Sequence, residues 1–195
     1  LLRLVREAGR VGVDMPIAEG EVADADAVRA ALAADPAISH VAVVYSETGA
    51  GVVNPVPDLA RAAEAEGRKI IVDAVSALGA LPFAIAEHPN CDIVVFTANK
   101  CLEGMPGLGL SVAPIARVRA CAGRAASWSL DLSDVLHQAE ERGYGSIRFT
   151  PAAQSIAALD VALDFFDAEG GRAARLARYA ANARVIHEGF AAMGL

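Results

Sequence analysis

The chain has 195 residues, 54% hydrophobic and 21% charged, with 17 Gly and 9 Pro, a composition that excludes disorder and collagen-like repeats. With 17 Lys+Arg against 24 Asp+Glu the net charge is -7, and the basic residues form no stripe of the kind that grips a phosphodiester backbone, so nucleic acid is excluded as a partner. Cys91, Cys101 and Cys121 are an odd number without a C-x-x-C pair, which speaks for reduced thiols in a cytoplasm and against a disulfide framework or a metal site.

The length suits one domain, or a domain with an extra lobe. No run of about 18 uncharged apolar residues occurs, so no membrane span is expected. Leu1, Leu4, Val5 and Ala8 read as the end of a helix without an initiator Met, and the sequence is expected to begin inside a larger protein. Residues 10–17 form a short strand candidate. Asp24, Ala25 and Asp26 then open a helix with Val28, Ala31 and Leu32 on one face, its acidic residues at the favourable N-terminus. HVAVVY over 40–45 is a continuous apolar run of strand length, followed by a loop, SETGAGVVNP. A helix starts near Pro57 and stops at Gly67.

KIIVDA (69–74) and DIVVFT (92–97) are two further buried-strand candidates with polar ends. GLGLSVA (107–113) follows a tight loop and is expected to run antiparallel to its neighbour. Helices are predicted over 131–141, 151–168 and 172–193, the last with Arg172, Arg175, Arg178 and Arg184 spaced for a solvated face. Alternating helices and strands predict an α/β class: a layered α/β/α domain on a mostly parallel sheet. Residues 1–168 would belong to that domain, and 169–195 would form a long connecting helix.

Ligands in open α/β sheets sit beyond the carboxyl ends of the strands. Asp73 ends one strand, Lys100 follows another, and Thr48 follows a third, so one rim can collect an acid, an amine and a hydroxyl. Lys69 and Lys100 are the only lysines, and Lys100 stands between an apolar strand and the turn GMPGLG rather than on a polar helix face. An amine nucleophile and a carboxylate that keeps a ring nitrogen protonated are what pyridoxal phosphate requires. The same residues also suit a helix cap and a solvated surface charge. Cys101 has no histidine nearby in sequence and reads as a space-filling residue, Trp128 as a packing or subunit-interface residue, and the four histidines lack metal-ligand spacing.

The runs HVAVVYSETGAGVVNP, KIIVDAVSALGALPFAI, DIVVFTANKCLEGMPGLGLSVA and RFTPAAQ resemble the 2-aminoethylphosphonate:pyruvate aminotransferase family, within the class V aminotransferases of fold-type-I pyridoxal phosphate enzymes. The resemblance covers nearly the whole chain, and TANKCLEGMPGLG is its most specific stretch. It implies Lys100 as the Schiff-base lysine and Asp73 as the partner of the pyridinium nitrogen. Val75 would pack on the ring, with Asn99 at its edge and Thr48 near the phenolic oxygen. Thr150 would reach the phosphate in a neighbouring subunit, which makes the expected assembly a homodimer. Arg148, two residues before Thr150, is the covered arginine nominated for the substrate phosphonate.

The substrates implied are 2-aminoethylphosphonate and pyruvate, in a cytoplasmic enzyme without a metal. Where the family usually places hydroxyls after the Glu-Thr or Glu-Ser of this loop, the sequence has Gly49, Ala50 and Gly51. The family's N-terminal glycine-rich phosphate turn and its small C-terminal domain have no counterpart in the sequence, so it resembles the central part of an enzyme about twice its length. Alanine:glyoxylate or serine:pyruvate aminotransferases share the Lys100 and Asp73 pattern, and a non-catalytic homologue would keep the same fold.

Overall fold

The computed structural model describes residues 2–195. Its centre is a four-stranded sheet of β1 (His40–Val44), β4 (Lys69–Asp73), β5 (Cys91–Thr97) and β6 (Gly109–Val112), adjacent in that order. β1, β4 and β5 run parallel, with Val44 opposite Asp73 and Asp73 opposite Val95. β6 is antiparallel to β5, as expected from the tight return after Lys100. A two-stranded hairpin, β2 (Ser46–Glu47) and β3 (Val52–Val53), occupies the segment expected to be a plain loop. Each of its strands is too short to leave a periodic signal, and the turn rests on Gly51 with φ of 69°.

Asn54 sews this hairpin to the sheet: its amide donates to the Val44 carbonyl at 2.8 Å and its Oδ1 accepts from the Ala23 N–H at 2.9 Å. The helices are α1 (Leu2–Glu7), α2 (Ala25–Ala34), α3 (Val56–Ala65), α4 (Ile115–Ala120), α5 (Leu132–Arg142), α6 (Ala153–Glu169) and α7 (Gly171–Ala192). Asp24 caps α2 through the Asp26 N–H, and Asp131 caps α5 through the Ser133 N–H. α3 starts at Val56 with Pro57 in its first turn, where a missing N–H costs nothing. α4 was not signalled by the sequence, being six residues long and opened by Pro114.

The expected strand over 10–17 does not form: these residues are irregular, and Val11, Val13, Met15 and Ile17 are exposed. Among the described residues no strand lies beside this segment, and an apolar alternation without a ladder partner has nothing to hold it extended.

Alternation decides which sheet face is sealed. Ile70 and Val72 are fully buried on one side of β4, whereas Lys69, Ile71 and Asp73 on the other keep some exposure. Against the sealed side pack Val56, Leu59, Ala60 and Ala63 of α3 and Val28 and Leu32 of α2. Each such Leu, Ile or Val is worth about 1.5–3 kcal/mol of burial. At the opposite ends of the strands from Asp73, the Asp92 carboxylate takes two hydrogen bonds from Arg117 and one from His40 at 3.1 Å. Burial pushes that carboxyl up, but these bonds outweigh it and hold Asp92 below the usual carboxylate range. Among the described residues no helix is long and apolar enough to cross a membrane.

Candidate active site

Three loops follow the carboxyl ends of β1, β4 and β5, and hydrogen bonds lace them together. Thr48 Oγ1 and Ser76 Oγ are 2.8 Å apart, which joins the β2–β3 turn to the loop after β4. Cys101 Sγ donates to the Ser76 carbonyl at 3.4 Å, which joins that loop to the one after β5. Lys100, the residue before Cys101, is therefore carried to the same rim as Thr48 and Asp73. Burial pushes the Cys101 thiol above its ordinary pKa, in keeping with a packing residue rather than a nucleophile.

Asp73 Oδ1 accepts the Val75 N–H at 2.9 Å, a local turn that orients the carboxylate and leaves Oδ2 without a protein partner among the described residues. Lys100 is exposed, and no hydrogen bond or ion pair engages its Nζ among the described residues. Thr97 Oγ1 lies 2.7 Å from Asn99 Oδ1 and 2.8 Å from the Leu108 carbonyl, its single O–H shared between them, closing the base of the lysine loop. A primary amine, a carboxylate with a spare oxygen and neighbouring hydroxyls suit a pyridine aldehyde phosphate as a ligand.

The lysine loop lies against backbone. A Cβ on Gly79, whose φ is 98°, would sit 2.9 Å from Leu102 Cδ2 and 3.3 Å from the Cys101 carbonyl. A Cβ on Gly104 would stand 3.1 Å from the Ala98 carbonyl oxygen, whose hydrogen bond from the Gly104 N–H closes the loop. Glu103 is the one non-glycine residue with positive φ among the described residues, at 59°. Its carboxylate accepts from Arg178 and from Tyr179 Oη, each at 2.8 Å. The Arg178 bond holds the Glu103 carboxyl below its ordinary range, against a weaker upward push from burial.

Sequence reasoning missed this support. The expected solvated arginine face of α7 holds for Arg172, Arg178 and Arg184, which are exposed, but Arg175 is 1% exposed, and Arg178 is paired with Glu103 and Glu169. A one-turn Arg spacing carries no signal of partners some 75 residues away, whereas Gly79 and Ser76 stand close enough to Asp73 to have been included with it.

Thr150 is exposed, and no side-chain hydrogen bond ties it to the laced loops among the described residues. Arg148 donates to Asp134 at 2.6 Å and to the carbonyls of Trp128 and Ser129, each at 2.9 Å. These bonds use both Nη1 hydrogens and one on Nη2, leaving the Nε–H and one Nη2 hydrogen uncommitted. The guanidinium also lies over the rings of Trp128 and Phe149, so this arginine braces the segment before α6. A cavity of about 540 Å³ opens elsewhere, between Pro57, Phe83, His88 and Arg172, and neither Asp73 nor Lys100 lines it. The residue chemistry at the strand ends, not concavity, marks the site. Among the described residues no group of three His, Cys, Asp or Glu could hold a metal ion.

The class-V aminotransferase family model matches residues 3–194. The chain is 44% identical to 2-aminoethylphosphonate–pyruvate transaminases of Burkholderia ambifaria (strain MC40-6) and Burkholderia pseudomallei (strain K96243), covering 98% of itself and 52% and 51% of them. It thus spans about half the length of the curated relatives it matches. Among solved structures, pyridoxamine-pyruvate aminotransferase of Mesorhizobium loti superposes with a TM-score of 0.82 at 32% identity, covering 96% of this chain and 47% of that one. Alanine–glyoxylate aminotransferase of Nostoc sp. superposes at 0.84 with 26% identity, covering 99% and 52%. Enzymes of this family depend on pyridoxal phosphate, and with a family match across nearly all of its length this chain belongs to the class-V aminotransferases.

Proposed function

We propose that the chain is the cofactor-bearing part of a cytoplasmic aminotransferase that moves an amino group from 2-aminoethylphosphonate to pyruvate, giving phosphonoacetaldehyde and alanine. The observation that carries the catalytic reading is the lacing of Thr48, Ser76 and Cys101, which gathers Lys100 and Asp73 at one rim. The choice of substrates is supported by the 44% identity to transaminases named for them.

In this reading pyridoxal phosphate, when bound, supplies an electron sink for the charge left on the substrate carbon as its proton departs. Lys100 Nζ would hold the cofactor and, as a free amine, would take the proton from the amine-bearing carbon and hand it on, serving first as general base and then as general acid. Asp73, oriented by the Val75 N–H, keeps a proton on the ring nitrogen through its carboxylate. Val75 would pack on the ring, Asn99 would lie at its edge, Thr48 would approach its phenolic oxygen, and Thr150 would serve the phosphate in a second subunit of a homodimer. A dianionic phosphonate needs a cation, and the two uncommitted N–H donors of Arg148 are our candidate within this chain. Residues 1–168 form the cofactor domain in this scheme, and 169–195 lead toward the rest of the protein.

The test is borohydride reduction of the full-length protein with pyridoxal phosphate, followed by peptide mapping, then amino-donor competition with pyruvate as acceptor. Label on Lys100 and preference for 2-aminoethylphosphonate are expected. Label on Lys69 would overturn the catalytic assignment, and preference for serine, or for alanine with glyoxylate as acceptor, would overturn the substrates alone.

A further inference from the structure

The corner between α6 and α7 is built against the lysine loop. Gly170 and Gly171 both have positive φ, 108° and 70°, so the chain turns sharply from the end of one helix into the start of the next. That turn brings Glu169, the last residue of α6, beside Arg175 on the second turn of α7, with Arg175 Nε donating to Glu169 Oε2 at 2.7 Å. Arg175 Nη1 then donates to the Cys101 carbonyl at 2.5 Å and lies 3.5 Å from Glu103 Oε2. The guanidinium rests on the Phe166 ring, 5.1 Å from its centroid. A guanidinium buried to 1% exposure is costly unless its donors find partners, and here Nε turns to α6 and Nη1 to two residues of the loop that starts at Lys100. Arg178 repeats the pairing one turn later, from Glu169 to Glu103.

We infer that Arg175 is a positioning residue for Lys100: by holding the Cys101 carbonyl from beneath, it fixes the backbone from which the amine projects. The inference rests on Lys100 being the reacting amine of the proposed transaminase. Backbone reach explains the choice of arginine. A single planar group must meet a carbonyl, a carboxylate on α6 and a carboxylate on the loop at once, which a lysine ammonium on a flexible stem does less well. It also explains how Glu103 is kept at a φ that L-residues avoid, since its carboxylate is gripped by Arg178, Tyr179 and Arg175 together.

The test uses the full-length protein and the variants Arg175→Met, Arg175→Lys and Glu169→Gln. In the cofactor-free protein, amide exchange at Glu103 and Gly104, whose N–H groups bond to the Lys100 and Ala98 carbonyls, is expected to speed up about 10-fold or more in Arg175→Met. Exchange at Ile70 and Val72 in the core should stay unchanged. In the loaded enzyme kcat should fall about 100-fold with KM nearly unchanged, because the loss is one of placement. The visible circular dichroism of the bound cofactor should change, and Arg175→Lys should recover part of both effects.

If Arg175→Met does not fold, the near-isosteric Glu169→Gln must show the same pattern to a smaller degree. Unchanged exchange at 103–104 in a folded variant, or faster exchange with wild-type kcat, overturns the inference. Borohydride mapping keeps the two claims separate: label away from Lys100 removes the transaminase reading, while the exchange result still reports whether Arg175 orders the loop.

Discussion

Asp73 and Gly79 separate two ways in which single residues serve the rim. Asp73→Asn keeps an Oδ1 that can still accept the Val75 N–H, so the fold should survive while the charge that retains a ring proton is lost. Turnover is expected to fall by about 10³-fold or more, with the urea midpoint little changed. Near-normal turnover would mean that another group protonates the ring. Gly79→Ala acts on the scaffold instead, adding a Cβ against Leu102 and the Cys101 backbone at a φ of 98°. It should cost about 1–3 kcal/mol in denaturant unfolding. Gly123→Ala, with φ of 71° and open space around it, isolates the strain from the clash and should cost less.

Asp73, Lys100 and Thr48 were legible because strand ends have a geometric meaning in any open α/β sheet. Arg175 was not, since nothing in an alternation of Arg with Ala and Leu tells a buried guanidinium from a solvated one. Its identity depends on Cys101, 74 positions away.

Among the elements, all four strands of the main sheet and the helices α1, α2, α3, α5, α6 and α7 could be read from apolar runs, caps and helical period. The β2–β3 hairpin, α4 and the irregular 10–17 segment could not, because two-residue strands and six-residue helices are defined by what they touch. Leu59 on α3 is fully buried against β4, and Leu59→Ala should cost about 2–5 kcal/mol of unfolding free energy.

The α6–α7 corner makes a pH-dependent contribution. Hydrogen bonds from Arg178 and then Arg175 lower the Glu169 carboxyl from its ordinary 4.5 to about 2. A carboxyl that is more acidic when folded stabilises the protein fully above pH 4.5, and that contribution is lost as the pH falls toward about 2. Urea titrations at successive pH values should show this loss in the wild type, and Glu169→Gln should be flatter over that window.

At the level of the whole molecule, the fold class was legible as soon as parallel-strand candidates alternated with helices, and the resemblance of TANKCLEGMPGLG narrowed it to a family. The antiparallel last strand was legible in the tight return after Lys100. What could not be read was which face of the sheet is sealed, since packing against other layers leaves no local mark. If Thr150 serves a neighbouring subunit, the full-length enzyme should sediment as a dimer. Thr150→Ala should then release cofactor more readily on dialysis without altering which lysine is labelled. A fully active monomer would exclude that arrangement.

The place of β1 at one end of the sheet has a practical consequence. Apart from the Val44 carbonyl, which Asn54 engages, its outer side has no ladder partner among the described residues, and HVAVV, rich in β-branched residues and without proline, is a template for strand addition by another chain. A preparation of these 195 residues alone is therefore prone to ordered aggregation through that edge, faster at high protein concentration. Ala42, which is exposed, is where a single lysine would break the template at least cost to the core.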